Sequence, residues 1–230
     1  LDYVSTAIEE ELKKTNDLSK AVQKVVKEVL TENQRIIFNG DNYSKEWHEE
    51  AAKRGLPNLH NTVEALPVYV EKESVELFGK YKVLSEDELY SRYNVQLESY
   101  CKTSNIEALM TINMGNTMIL PAALEYQSKL ASSIMQTKAA LQGLDMAPQE
   151  KLLRNLTEHI NKLKTGLEHL EAISQEVDEH GTDILTHARF YQEKVIPAMN
   201  SARATADELE SLVDDSLWPI PKFREMLYIY

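Results

Sequence analysis

The sequence predicts an all-α fold: a multi-helix bundle with one long, proline-kinked helix and a protruding antiparallel helical hairpin. Three observations carry this. Glycine and proline number only seven each in 230 residues, so long regular elements run uninterrupted. Stretches rich in β-branched residues are few and lack strand partners. Apolar residues recur at steps of three and four along most of the chain, the period of one buried helix face. They make up 43% of the sequence, enough to fill a substantial core. The chain reads as a single helical domain, 1–230, in four parts: short helices and loops over 1–82, the long kinked helix over 83–147, the hairpin over 148–215 and a packed Trp/Pro-rich tail over 216–230.

The first helix carries Leu1, Val4, Ile8 and Leu12 on one face, and Thr15-Asn16-Asp17 interrupts it with cap-forming residues. A second places Val22, Val25, Val26, Val29 and Leu30 on one face. Arg35 to Ser44 then reads as a short extended apolar run closing in Asn-Gly and Asp-Asn turn chemistry. Ser44 caps a short helix carrying Trp47, which Gly55 ends as a left-handed stop. Leu56 to Pro67 is loop-like, with Thr62 as cap of a single turn. Residues 71–81 form another short helix with Val75, Leu77 and Phe78 inward.

The long helix has the clearest start. Ser85 is its N-cap and Glu88 the reciprocal partner of a capping box, with Leu84 and Leu89 placed as a hydrophobic staple. Its apolar positions are Leu89, Tyr93, Leu97, Tyr100 or Cys101, Leu109, Ile112, and Met118 or Ile119; they continue as Leu124, Leu130, Ile134 and Leu141. Pro121 has no N–H for the carbonyl of Thr117, so a bend or a break between two nearly coaxial helices is expected there. Gly143 ends this helix, and Pro148 suits the first turn of the next. From Leu156 the series Ile160, Leu163, Leu167, Leu170, Ile173 and Val177 makes a near-heptad seam. Gly181 stops that arm, and Thr182 or Asp183 caps the return. The return repeats the seam as Ile184, Ala188, Tyr191, Val195, Met199, Ala202, Ala206, Leu209 and Val213, with a bend at Pro197 near Glu193. Two matching seams joined by a short turn make a helical hairpin. The tail from Ser216, with Trp218, Pro219, Pro221 and Phe223, is expected to pack back on the body, because large aromatics are costly to leave wet.

A formal net charge of −12 argues against nucleic-acid binding and against docking on an anionic membrane, since both need clustered Lys and Arg. No apolar run approaches the ~18 residues of a membrane span. The single cysteine, Cys101, excludes an intrachain disulfide and suits a reducing, cytoplasmic compartment. Leu1 to Leu12 is acidic where a signal peptide would be basic. A start without Met and inside a helix suggests a piece of a longer polypeptide.

No catalytic, cofactor-binding or metal-ligating residue is expected. A di-iron bundle needs Glu-x-x-His on two helices, and the residues three before His48, His60, His159, His169, His180 and His187 are Lys45, Pro57, Leu156, Gly166, Val177 and Ile184. Glycine patterns that cradle phosphates and the Gly-x-Ser-x-Gly elbow do not occur. Cys101 reads as a small buried hydrophobe, and Tyr90, Tyr93 and Tyr100 as packing residues. Asp207, Glu208, Glu210, Asp214 and Asp215 lack the spacing of a Ca²⁺ loop and read as a solvated face.

Several stretches taken together nevertheless resemble the C-terminal part of type III glutamine synthetases. They are Ile37-Phe38-Asn39-Gly40-Asp41-Asn42-Tyr43-Ser44-Lys45-Glu46-Trp47-His48, Arg54-Gly55-Leu56-Pro57-Asn58-Leu59, Glu64-Ala65-Leu66-Pro67, the run from Val83 to Tyr93, Ile119-Leu120-Pro121-Ala122-Ala123-Leu124 and the tail from Leu217 to Leu227. The region from Leu56 to Tyr100 is also similar to the closing helices of the shorter type I enzymes. The resemblance implies that 1–230 is a C-terminal helical domain without the catalytic core. It implies a parent ligase of nitrogen metabolism that joins ammonia to glutamate using ATP and Mg²⁺. It also implies, as partners, the catalytic core of the same polypeptide and, in the full-length form, further copies in a ring-based homo-oligomer. The family's metal-binding carboxylates and phosphate-binding arginines precede the matched region, so this chain is expected to be inactive alone and to hold no cofactor. Its role is then structural or an oligomer contact, with the 148–213 hairpin a candidate for ring stacking or regulatory docking. The alternative is a free-standing helical scaffold that binds a partner helix through the same hairpin.

Overall fold

Side-chain caps mark the starts of five helices in the computed structural model, which describes residues 1–176 and 183–227. Every regular element among the described residues is helical. Contacts divide the chain into two compact units, Leu1–His60 and Asn61–Tyr230.

In the first unit, α1 (Asp2–Thr15) closes on Asn16 in the left-handed region, φ 49°. Asp17 then caps α2 (Leu18–Glu32) by accepting from the Lys20 N–H at 3.2 Å. The two helices pack together, and the Glu11 carboxylate receives Lys24 at 2.8 Å across the pair and Lys14 at 3.3 Å along α1. The face predicted for α2 is only partly buried: Ala21 and Val25 are inside, whereas Val26 and Leu30 are 42% and 52% exposed. The stripe on α2 is wider than the surface covering it. The extended run expected from Arg35 is also corrected, because Gln34–Ile36 is a single 3₁₀ turn and extended backbone begins at Ile37. Ser44 caps α3 (Lys45–Lys53) through the Trp47 N–H, and Gly55 follows at φ +68°.

The second unit opens with α4 (Thr62–Ala65), which runs into a 3₁₀ turn, Leu66–Val70. Its cap is Asn61, one residue before the expected Thr62, and its side chain accepts from the Glu64 N–H at 3.0 Å. In α5 (Lys72–Lys80) Val75 and Phe78 are half-buried, but Leu77 faces out at 55% exposure. Both halves of the Ser85–Glu88 capping box form at the start of α6 (Glu86–Met114). The Glu88 carboxylate, accepting the Ser85 N–H and O–H, is held below the usual carboxylate range.

Helical backbone then continues without a break: α6 passes through a π-helical turn, Gly115–Ile119, into α7 (Leu120–Ala140). The same arrangement recurs where α9 (Ile184–Phe190) passes through Tyr191–Val195 into α10 (Ile196–Leu212). Each π turn ends two residues before a proline, Pro121 or Pro197, and includes the residue whose carbonyl that ring would strike, Thr117 or Glu193. The wider turn accommodates the proline ring and its missing donor while the helix persists.

Gly143, at φ +81°, lies between α7 and α8 (Ala147–Glu176), and Pro148 falls in the first turn of α8. Asp183 caps α9 by accepting from the Thr186 N–H at 3.0 Å. Val177, His180, Gly181 and Thr182, on which the expected connection between the two arms depends, lie outside the described residues.

Two core clusters hold this unit. One joins α7, α8, α10 and the tail through Leu120, Ala123, Leu156, Ile160, Leu163, Leu167, Ala202, Ala206, Leu209 and Trp218. The other gathers Val63, Leu66, Leu97, Cys101, Ala108, Leu170, Ala188, Tyr191 and Val195 around α6. The seam positions of α8 from Leu156 to Leu170 are all buried, as are Ala202, Ala206, Leu209 and Val213 opposite. On α6 and α7 the expected stripe holds at Leu89, Leu97, Cys101, Ile119 and Ile134 but fails at Leu109, Leu124 and Leu141, which are exposed, while Ser104, Ala108, Gly115, Ala122 and Ala123 are inside. At Gly115 a small residue is required, because Leu167 presses against it and an added Cβ would lie 2.6 Å from Leu167 Cδ1.

Candidate functional site

The most elaborately built surface is in the first unit, around the Phe38–Ser44 loop. Gly55 ends α3 and leaves Arg54 at its C-terminal cap. From there the guanidinium reaches Glu50 Oε1 at 2.7 Å with Nε. Its Nη1 donates to the carbonyls of Ile37 at 2.7 Å and Arg35 at 3.3 Å. The same group lies 5.6 Å from the Trp47 ring centroid, and Phe38 stacks on Trp47 with centroids 4.6 Å apart. The Arg54 hydrogen bond holds the Glu50 carboxyl below its usual range. Gly40 fits because any Cβ there would lie 2.6 Å from Phe38 Cε1. Asp41 Oδ1 accepts the Tyr43 N–H at 2.9 Å, and Ser44 donates to the Asp41 carbonyl at 2.7 Å while accepting from Trp47. The product is a fixed loop that displays Tyr43 at 94% exposure.

Beside the clasp lies an open groove of about 860 Å³ between α2 and the 34–37 turn. Val26, Leu30 and Ile37 supply apolar surface, and Lys27, Arg35 and Arg54 supply positive charge. No carboxylate lines it. Reading the sequence missed this groove, having placed Val26 and Leu30 with Val22, Val25 and Val29 on one face of the helix. The available signal was an excess: five aliphatic residues on α2 are more than one neighbouring helix can cover.

The second unit contains a smaller cavity of about 370 Å³ walled by Met114, Gly115, Leu163, Leu167, Ala202 and Ile220. At its rim Arg203 and Asp207 pair at 3.8 Å. Two further carboxylates of this end, Asp214 and Asp215, have structural partners. Asp214 accepts from the Ser216 N–H and O–H at 2.8 and 2.6 Å, which keeps its carboxyl low, and Asp215 pairs with Lys222 at 2.7 Å. Lys222 also donates to the Glu210 carbonyl, and Trp218 is buried in the core with Leu217 and Ile220 packed against it, whereas Met226 and Leu227 are exposed.

Cys101 is buried, and burial pushes its thiol up, away from the thiolate that nucleophilic chemistry requires. Burial likewise raises Tyr93 and Tyr100. His159 Nδ1 lies 2.8 Å from the Asn155 carbonyl of its own helix. Among the described residues no three His, Cys, Asp or Glu side chains converge on a point that could hold a metal ion. None of their helices is long and apolar enough to cross a membrane. What the geometry offers is contact surface: a rigid aromatic loop and a cationic groove.

The glutamine synthetase C-terminal domain family matches residues 21–138, from α2 to the end of α7. A glutamine synthetase of Butyrivibrio fibrisolvens is 33% identical over 213 residues, which is 93% of this chain and 30% of the relative. A type-3 glutamine synthetase of Dictyostelium discoideum is 33% identical over 220 residues, 94% of this chain and 30% of the relative. A glutamine synthetase of Bacteroides fragilis is 30% identical over 213 residues, 91% and 29% respectively. The chain thus spans about 30% of the length of these relatives.

Proposed function

The chain belongs to the glutamine synthetase C-terminal domain family, and from that premise we propose that it is the helical portion of a longer glutamate–ammonia ligase. In that enzyme ATP and Mg²⁺ drive ligation of ammonia to glutamate, and the protein is a cytoplasmic homo-oligomer. One observation carries the reading: similarity extends over more than nine-tenths of this chain yet occupies under a third of each relative. The described residues do not fit the Mg²⁺ that reaction needs, since they offer no convergent carboxylates to hold it. No step of the ligation is therefore assigned to a residue of this chain. Its contribution is packing and contact, with 1–230 serving as one C-terminal helical domain.

The size of the native polypeptide tests this directly. An antibody raised to the chain should detect, in source-cell extract, a band far above 26.3 kDa. The isolated chain should neither bind ATP nor form glutamine. A native band at the chain's own mass would refute the reading, and so would robust turnover by the purified chain.

A further inference from the structure

We propose that the groove of the 1–60 unit seats an acidic, apolar-faced segment from the part of the longer polypeptide that lies outside this chain. The proposal rests on the reading of the chain as a portion of a longer synthetase and names the partner of one of its surfaces.

Three observations converge on it. The floor is apolar and wet: Val26, Leu30 and Ile37 are 42%, 52% and 40% exposed, and they lie together in one concavity. The wall is set in advance, because Arg54 is tied to two backbone carbonyls and to Glu50, so a partner loses little in ordering it. The rim is cationic on a chain whose net charge is −12. Among the described residues Lys27 and Arg35 take part in no ion pair, and no carboxylate reaches the groove to neutralise them. A positive rim around an apolar floor selects a segment that presents leucine-like side chains flanked by Asp or Glu. The exposed ridge Ile106, Leu109 and Met110 on α6 has no such charge signature and so names no partner. The source of the segment follows from length: most of a polypeptide the size of the relatives lies beyond the span matched here.

Hydrogen exchange read by mass spectrometry tests this on two samples, the 230-residue chain and the full-length polypeptide that contains it. Amides of residues 23–37 should exchange about tenfold or more slowly in the full-length protein. The double variant K27E/R35E should abolish that slowing and leave 61–230 unchanged. It should also release protection in a carboxylate-rich segment elsewhere in the polypeptide. Replacing that segment's carboxylates with lysine in the K27E/R35E background should restore the slowing. The milder K27A/R35A variant, with circular dichroism of the isolated chain, separates lost contact from lost folding. Slowing that survives K27E/R35E overturns the proposal. So does slowing in the isolated chain that grows with its concentration, which would mean that a second copy covers the groove. Failure of the underlying reading registers separately, as a native polypeptide no larger than this chain.

Discussion

Replacing Gly115 by alanine should destabilise the 61–230 unit, although the same change elsewhere in a helix stabilises. Alanine in place of glycine in a helix is worth about 0.5–1 kcal/mol in conformational entropy and propensity. At Gly115, however, the new Cβ would stand 2.6 Å from Leu167 Cδ1, 2.7 Å from Cδ2 and 3.2 Å from Cγ. Leu167 is only 1% exposed within the core cluster, and to make room it must leave that packing for the cavity it lines with Met114 and Leu163. Overpacking of this kind costs about 1–3 kcal/mol, so against the helix gain the net is a loss of up to about 2.5 kcal/mol. Gly166 in α8 is the internal control: its added Cβ would meet only Ala202 Cα at 3.9 Å and Cβ at 4.0 Å, so Gly166→Ala should gain about 0.5–1 kcal/mol. Leu167→Ala alone should cost about 2–5 kcal/mol, and less in the Gly115→Ala background, where the new methyl group fills part of the space. Urea unfolding followed by far-UV circular dichroism measures all four variants. If Gly115→Ala stabilised as much as Gly166→Ala, the close approach of α8 to the π turn would be refuted.

Glu11 should shape the acid limb of stability. The Lys24 hydrogen bond, with Lys14 adding to it, holds the carboxyl below its ordinary value in the folded state. The pair therefore stabilises above that ordinary value, and the contribution is lost as pH falls through the folded one. Glu11→Gln should flatten this limb in melts taken from neutral to strongly acidic pH; an unchanged limb refutes the assignment. Arg54→Lys should loosen the 35–44 loop, because a single ammonium cannot serve two carbonyls, Glu50 and the Trp47 face together. About 1–3 kcal/mol of local protection should be lost, read by hydrogen exchange of those amides. Trp218 is buried with no acceptor for Nε1 among the described residues, so Trp218→Phe should cost far less than the roughly 3–5 kcal/mol of Trp218→Ala. Equal losses would show that the indole N–H is satisfied.

Much of this architecture is legible where one local rule decides. Ser85 and Glu88 announce their capping box, Ser44 and Gly55 bracket α3, and the seam from Leu156 to Leu170 is buried at every position. The misses lie where a neighbour decides. Leu124 obeys a helical period but faces outward, because a 3.6-residue extrapolation ignores the re-phasing caused by the π turn, whereas Leu109, ahead of that turn, stands about 120° around the helix from buried Leu97. Val26 and Leu30 likewise obey the period of α2 and remain uncovered. The groove is illegible for a related reason: Lys27, Arg35 and Arg54 are scattered in sequence and meet only when Arg54 folds back on the 35–37 carbonyls.

The two π turns also bear on how this chain aligns with its relatives. A π turn holds one more residue than the α-helical turn it replaces, which amounts to an insertion that the helix absorbs without a loop. Residues 115–119 and 191–195 are thus the places where a relative could be one residue shorter inside a continuous helix and keep Leu120 or Ile196 in register with the core that follows. Deleting a single residue there removes a bulge; deleting one in the α8 seam turns every later side chain by about 100° away from its partner. Gaps between relatives should therefore collect at these two turns and be rare within residues 156–170.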